Sequence, residues 1–344
     1  MKKENKRYRA LVLLDERLMP PEELQGNESN HESWKMEYDV ISALRAMGHD
    51  VTPVGLSDDL AVIRKAVEEL KPHIAVNLLE DFAGSCTMAQ NIVAFLELLN
   101  VQYTGCNPRG LMIAMDKALT KKILAYHRIA VPQVFMFPKN RRFRRGMKFP
   151  YPLLVKSLCY EGSVGISQAS VVYDEAHLIE RIEFIHRTLN THAIAEQYVE
   201  GREIYVGVVG NNRLETFSPW ELLIKNLPEG APNIATSKVK WDRKFQQRAG
   251  VMTQAAEGLS PEQLKELDRL CKRTYKLLEL SGYARLDFRL RADGKFFLIE
   301  ANPNPNICEH EDFAKSAKHA GITYHKLWER ILKLGMNYEY LNLP

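Results

Sequence analysis

The chain of 344 residues is 26% charged and 45% hydrophobic, which suits about two ordinary globular domains and excludes wholesale disorder. A net charge of +4 calls for no nucleic-acid partner, and no apolar run reaches 18 residues, so no transmembrane helix is expected. Five scattered cysteines (Cys86, Cys106, Cys159, Cys271, Cys308) lack any C-x-x-C spacing, which leaves neither a disulfide framework nor a zinc cluster and makes a reduced, cytoplasmic setting the expectation.

The basic start (Lys2, Lys3, Lys6, Arg7) precedes an apolar stretch at 10–14 that is too short for a signal peptide and reads better as a first strand. From there the pattern predicts strands at 9–14, 50–54, 74–79 and 101–104. Helices are predicted between them at about 34–47, closed by Gly48, at 57–70, closed by Pro72, and at 87–99. Short apolar strands alternating with helices imply a parallel sheet with helices on its faces. Two short helices occupy 107–130, the second capped by Asp116 and opened by Lys117. From 131 the pattern becomes α+β, with strands at 133–137, 153–158, 193–199 and 204–209 and a helix at about 174–189. Ser260, Pro261 and Gln263 form a capping box that opens a helix at 261–280, and two short helices follow the last strands. The run Arg141-Arg142-Phe143-Arg144-Arg145 reads as a solvated loop, because no second basic patch or aromatic platform accompanies it.

The segment 283–303, YARLDFRLRADGKFFLIEANP, carries the chemistry. Asp293-Gly294 predicts a two-residue hairpin loop. Leu286 then faces Ala301, Phe288 faces Ile299 and Leu290 faces Phe297, an apolar side that belongs to the core. On the other side Asp287 faces Glu300 and Arg285 faces Asn302. Opposed side chains lie roughly 4.5–5.5 Å apart, where two like charges repel unless a cation intervenes. Asp, Glu and Asn offer only oxygen ligands, the set that Mg²⁺ takes together with water and nucleotide phosphates. Arg285 beside them suits a negatively charged ligand. The plainer alternative is a surface cluster of ion pairs.

No P-loop, G-x-G-x-x-G fingerprint or G-x-S-x-G elbow is present, so a nucleotide here needs another holder. Lys156 sits inside the apolar strand PLLVKSL, where a lysine is poorly placed unless it meets an anion or reaches out to solvent. The loop Glu161-Gly162-Ser163-Val164-Gly165 follows, able to offer backbone N–H groups to phosphate oxygens. Lys117 opens a helix, where the macrodipole mildly disfavours a cation and an anion would relieve it. Taken singly, each lysine is more often structural, and so are Glu196 and Glu203. Cys308-Glu309-His310 reads as structural.

The segments YTGCNPRGLMIAMDKALTK, YPLLVKSLCYEGSVG, AEQYVEGREIYV, GYARLDFR and LIEANPNP, taken together, resemble the ATP-grasp enzymes and, within them, the D-alanine–D-alanine ligase-like group. The resemblance covers nearly the whole chain and is strongest over 101–335. It implies an N-terminal parallel-sheet, Rossmann-like pre-ATP-grasp domain over 1–106. A two-lobed α+β ATP-grasp domain then divides into a central lobe with linker helices, 107–200, and a C-terminal lobe, 201–344. By resemblance, Lys117 and Lys156 hold ATP phosphates and Ser163 lies on the flexible loop that closes over them. Glu196 lies at the adenine edge, with backbone groups of Gln197 and Val199, and Glu203 is the ribose ligand. Lys240, in SKVKWD, reaches the phosphates from a second mobile loop. Asp287, Glu300 and Asn302 are the ligands of two Mg²⁺ ions, with Mn²⁺ as a substitute. Arg285 stabilises an acyl phosphate and the tetrahedral intermediate.

The implied activity is ATP-dependent carboxylate–amine ligation through an acyl phosphate, releasing ADP and phosphate. It acts on small, amino-acid-like acid and amine substrates, with no nucleic-acid or membrane partner, and many members of the group are homodimers. Three stretches depart from the group's pattern. After the first strand the chain reads Asp15-Glu16-Arg17-Leu18-Met19-Pro20-Pro21 in place of a glycine-rich serine–glutamate motif. After the third strand it reads Asn77-Leu78-Leu79-Glu80-Asp81-Phe82-Ala83-Gly84 in place of H-G-x-x-G-E-D-G. Beyond Asn302, Pro305-Asn306 replaces a proline–glycine, and Glu311 falls where the group has a serine that binds the substrate carboxylate. A glutamate there repels a carboxylate, so D-alanyl-D-alanine is not the expected product, and Glu311, Glu16 or Glu80 is a candidate partner for a cationic amine. The alternatives are a regulatory nucleotide-binding protein of this fold without ligase activity, and a phosphotransferase of the same fold.

Overall fold

The computed structural model describes residues 6–22, 33–144, 146–160 and 162–339. Lys2 and Lys3 of the basic start, Arg145 of the arginine run and Glu161 of the glycine loop lie outside the described residues.

Three sheets follow one another along the chain. The first holds β1 (Arg9–Asp15), β2 (Asp50–Leu56) and β3 (Ile74–Asn77), all parallel, in the order β2-β1-β3. The helices α1 (Lys35–Ala46), α2 (Ala61–Leu70) and α3 (Gln90–Leu98) belong to this unit. The strand expected at 101–104 is only a single parallel bridge between Tyr103 and Ala75, because Gly105, at φ +94°, turns the chain away. The helix expected from 57 begins at Ala61, whose N–H donates to Asp59 at 2.8 Å. The helix expected from 87 starts at Gln90, after a tighter turn over Cys86–Met88.

Two connecting helices follow. In α4 (Pro108–Met115), Asn107 caps by accepting from the Gly110 N–H at 2.8 Å. In α5 (Lys117–Tyr126), Asp116 caps as expected, accepting from the Ala118 and Leu119 N–H groups at 3.0 and 2.8 Å.

The second sheet is antiparallel. It holds β4 (Val134–Phe137), β5 (Leu153–Ser157), β6 (Val171–Val172) and β7 (Ala193–Gln197) in the order β4-β7-β5-β6. Leu153, Val155, Ala193 and Ala195 pack on Leu178, Ile182 and Ile185 of α6 (Glu175–Thr188). Strand alternation then turns Leu154, Lys156 and Glu196 to the opposite face. In the arginine run Phe143 stacks on Phe137 at 5.6 Å, while Arg141, Arg142 and Arg144 are exposed.

The third sheet is also antiparallel. Its strands are β8 (Arg202–Val209), β9 (Glu215–Thr216), β10 (Trp220–Ile224), β11 (Val251–Ala255), β12 (Tyr283–Leu290) and β13 (Phe296–Asn302). They run in the order β11-β10-β8-β12-β13, with β9 on β8. Its helices are α7 (Ser237–Trp241), α8 (Arg243–Ala249), α9 (Pro261–Leu277), α10 (Asp312–His319) and α11 (Tyr324–Met336). The capping box of α9 forms as the sequence implies, and the helix stops at Leu277 rather than 280 because Glu279 takes φ +55°.

The β12–β13 hairpin departs from expectation at its tip. Gly294 donates to the Arg291 carbonyl at 2.9 Å and Arg291 to the Lys295 carbonyl at 3.1 Å, a longer loop than two residues. Phe288 therefore pairs with Leu298, and Leu290 with Phe296. A bulge at Ile299 restores the expected register below it, so Asp287 faces Glu300, Leu286 faces Ala301 and Arg285 faces Asn302. The core side is Leu286, Phe288, Leu290, Phe296, Leu298 and Ala301. Phe297 and Ile299, expected there, leave it.

One face of the first sheet is covered jointly by α1 and by Leu327, Trp328, Ile331 and Leu332 of α11. That approach is close enough that a Cβ on Gly335 would lie 2.3 Å from the Tyr103 carbonyl oxygen. Gly335→Ala should therefore destabilise the protein by about 1–3 kcal/mol through overpacking. A shift of the urea midpoint checks this, and an unchanged midpoint would show that α11 yields freely.

Candidate active site

The second and third sheets face each other across a cleft of about 680 Å³. It is lined by Leu154, Lys156, Ser163, Glu196, Gln197, Val199, Glu203, Lys240, Asp287, Arg289, Ile299 and Glu300, among others. Nine of the twelve residues singled out from the sequence therefore stand around one space. The other three adjoin it. Arg285 and Asn302 are cross-strand partners next to Asp287 and Glu300, and Lys117 pairs with Glu300 at 2.8 Å.

The floor is built by period-two alternation. Arg285, Asp287 and Arg289 share one face of β12. On β8, Glu203 stands opposite Arg289 and Tyr205 opposite Asp287. The Arg285 guanidinium grips Asp287 with two hydrogen bonds of 2.8 and 2.9 Å and lies 4.7 Å over the Tyr205 ring. Arg289 donates to Glu203 at 2.6 Å, and the Tyr205 hydroxyl donates to the same carboxylate at 2.7 Å. Burial pushes the Asp287 carboxyl up, and the facing Glu300 adds to this, while Arg285 opposes both. Burial acts on Glu300 in the same sense, but there Lys117 and Lys156 prevail and hold its carboxyl well below the usual range. The repulsion expected between the two facing carboxylates is thus met by separate cations, Arg285 at Asp287 and the two lysines at Glu300.

The wall contains a chain of buried charges. Lys117 also donates to the Tyr160 carbonyl at 3.0 Å. One turn along α5, Lys121 lies 2.7 Å from Glu196 Oε1 and donates to the Ile299 carbonyl at 2.8 Å. Lys156 meets the other Glu196 oxygen at 3.0 Å. Lys117, Lys121, Lys156 and Glu196 are all less than 5% exposed. Burial works against the Glu196 charge, and Lys121 and Lys156 together still hold its carboxyl below the ordinary value.

Sequence reasoning missed Lys121, Arg289 and Tyr205. Lys121 was signalled by its four-residue spacing from Lys117, which puts both on one helix face. Arg289 was signalled by the alternation that found Arg285 and Asp287.

One expectation needs correction, and another narrows. Lys240 lies not on an open loop but on helix α7, capped by Thr236. That helix is tied to the Ser163 loop. Ser237 N–H donates to the Ile166 carbonyl at 2.9 Å, the Ser237 hydroxyl donates to the Ser163 carbonyl, and Trp241 Nε1 donates to the Gly162 carbonyl at 2.9 Å. The Gln197 N–H donates to the Gln133 carbonyl at 2.9 Å and is not free for a nucleotide. Cys308 is structural as expected, its thiol donating to Asp39 at 3.0 Å. Glu16 opens the tight turn after β1 and is exposed.

A parallel-sheet unit followed by two antiparallel lobes that clasp a cleft of lysines and carboxylates defines an ATP-grasp protein. Residues 123–333 match the family described as D-ala D-ala ligase C-terminus, and the chain belongs to the D-alanine–D-alanine ligase family, whose members are ATP-dependent, ADP-forming carboxylate–amine ligases. The D-alanine–D-alanine ligase of Syntrophotalea carbinolica is 30% identical over 301 residues, covering 85% of this chain and 88% of that protein. The crystal structure of the Bacillus anthracis D-alanine–D-alanine ligase complexed with ATP matches with a TM-score of 0.73 at 23% identity, covering 96% of this chain and 97% of that one. The VanG D-Ala:D-Ser ligase of Enterococcus faecalis matches with a TM-score of 0.68 at 17% identity, covering 96% and 100%.

The tie between α7 and the Ser163 loop is directly testable. Trp241→Phe removes one donor, and a net hydrogen bond of about 1 kcal/mol corresponds to roughly fivefold faster local opening. Hydrogen exchange of the amides around 162–163 and 237–241 should accelerate by that factor. Exchange at the original rate would show that the indole N–H holds nothing.

Proposed function

We propose that this chain is an ATP-dependent carboxylate–amine ligase that activates a small amino-acid-like carboxylate as an acyl phosphate, joins it to an amine, and does not make D-alanyl-D-alanine. The observation that carries the ligase reading is the convergence of Asp287, Glu300 and Asn302 with Arg285, Lys117, Lys156 and Lys240 at one cleft. The three oxygen-bearing side chains suit divalent cations such as Mg²⁺ or Mn²⁺, because Asp287 and Glu300 face each other and offer only oxygen ligands, with Arg285 and Lys117 as their directly paired cations. The metal supplies charge neutralisation for the phosphate oxygens when bound.

The chain's own groups do the rest. Lys117, Lys156 and Lys240 hold phosphate oxygens. Ser163 and its loop close over them with α7, which keeps water from the acyl phosphate. Glu196 and Val199 border the adenine and Glu203 binds ribose. Arg285 leaves part of its hold on Asp287 to stabilise charge that develops on the tetrahedral carbon's oxygen. The three segments assigned from sequence, 1–106, 107–200 and 201–344, divide this labour between substrate and nucleotide binding. The regulatory and phosphotransferase readings remain as alternative outcomes of the assay below.

The substrate reading rests on the reaction side of the cleft. Glu80 and Glu311 are open to solvent yet walled by protein, which raises both carboxyls. Neighbouring Asp81 and Asp312 respectively add to this, Lys315 opposes it first at Glu311, and Lys240 and Arg285 oppose it at both. Two carboxylates that share those cations disfavour a second substrate carboxylate and favour an amine without one, or an amine with an added positive charge.

ADP release measured with a panel of acids and amines tests both parts. Asp287→Asn or Glu300→Gln should lower amine-dependent ADP formation by at least about a hundredfold. Full turnover in either variant refutes the metal assignment. Fastest turnover with D-alanine as the only substrate refutes the product reading, and tight Mg-ATP binding without any amine-dependent ADP supports the regulatory alternative.

A further inference from the structure

Lys121 is 2% exposed, does not line the cleft, and has no part in the reaction described above. Its ammonium nevertheless joins two parts of the site that belong to different sheets. On one side it meets Glu196 Oε1 at 2.7 Å, from β7. On the other it donates to the Ile299 carbonyl at 2.8 Å, at the bulge of β13 next to Glu300. A bulge frees a carbonyl from the strand ladder, and here the freed group is taken by a buried cation. The neighbouring Leu298 N–H is held from the same linker region, by the Ala130 carbonyl at 2.9 Å.

We propose that Lys121 is a positioning residue of the nucleotide site, which fixes the Glu196 carboxylate and the Ile299 bulge so that Lys156 and Glu300 face the cleft in their working geometry. This rests on the nucleotide-site reading given above. Glu196 carries one negative charge between two ammonium groups. With Lys121 in place, Lys156 is only partly neutralised and keeps attraction for a phosphate. Without Lys121, Glu196 has Lys156 as its single counter-ion and draws it out of the cleft, since a buried carboxylate left half-paired is costly. The Ile299 carbonyl would lose its partner at the same time, which frees the strand one residue before Glu300.

The groups that face the Lys121 ammonium are known on every side: Glu196 on β7, Lys156 on β5 and Glu300 on β13. Burial lowers the Lys121 ammonium to about 8, Lys156 acts in the same sense, and the two glutamates oppose. Its charge is therefore present at neutral pH and lost as pH rises through about 8.

The experiment is equilibrium binding of Mg²⁺ with the non-hydrolysable analogue AMP-PNP to the whole protein between pH 7 and 9, for the natural protein, Lys121→Met and Lys121→Arg, with thermal melting as a check on folding. At pH 7, Lys121→Met should bind roughly ten- to a hundredfold more weakly. The natural protein should lose affinity as pH rises to 9, Lys121→Met should lose that pH dependence, and Lys121→Arg, which stays charged, should bind at pH 9 as at pH 7. If Lys121→Met stays within twofold of the natural protein, or keeps the same pH dependence, the positioning role is wrong. If Lys121→Arg does not fold, the other two proteins still decide the matter. If the natural protein binds no AMP-PNP at any pH, the nucleotide-site reading falls, and this inference with it.

Discussion

Two glutamates and three lysines are withdrawn from water where the linker helix α5, the central sheet and the last hairpin meet. Removing such charges from solvent is costly, and only complete pairing makes it tolerable. Here the pairing is complete and ordered: Lys117 with Glu300, Lys121 and Lys156 with the two oxygens of Glu196. The arrangement requires α5 to be capped where it is, so that Lys117 and Lys121 fall one turn apart on the inward face. It requires β5 and β7 to be in register, so that Lys156 and Glu196 share a surface. It also requires the bulge at Ile299, which turns a carbonyl toward Lys121. A slip of one residue in any of these would leave a bare charge in the interior, so one electrostatic condition ties the positions of three elements from distant parts of the chain.

Much of this was legible beforehand because it follows local rules. The capping residues Asp116 and Ser260 and the alternation in β12 are properties of a few consecutive residues. The pairing of Asp287 with Glu300 was also read correctly, but only because two irregularities cancel. The loop at Gly294 is longer than Asp-Gly suggests, which shifts the register by one, and the bulge at Ile299 shifts it back. The roles of Phe297 and Ile299 were misread for that reason. What was not legible depends on contacts between distant segments. The strands β10 and β11 and the short helices around Lys240 carry weak patterns of their own and are set by tertiary contacts: β10 pairs with β8, β11 with β10, and Val239 and Phe245 pack among Tyr205, Trp220 and Leu222. Lys121 looks like an ordinary exposed helix lysine until the hairpin is folded against it.

The cleft has two ends with different character. One end holds the lysines and the Glu203–Arg289–Tyr205 cluster, the end proposed above to take the nucleotide. The end proposed for the reaction carries more negative charge. Glu80, reached from the first sheet, and Glu311, reached from the start of α10, bring negative potential to a place where Arg285 and Lys240 are the nearby cations. On the proposal above, that charge would help select the partner of the activated acid, since specificity comes from penalising the wrong partner as well as from attracting the right one.

The cover of the first sheet by α11 bears on how the protein is made. The strand β3 begins at Ile74 and α11 at Tyr324, so this face of the opening unit has only α1 as cover until about 250 further residues have been synthesised. Contacts of such long sequence separation form late, because the loop entropy must be overcome before they contribute. The nascent unit therefore emerges with part of its apolar flank uncovered, the kind of surface on which chaperone capture or misassembly acts.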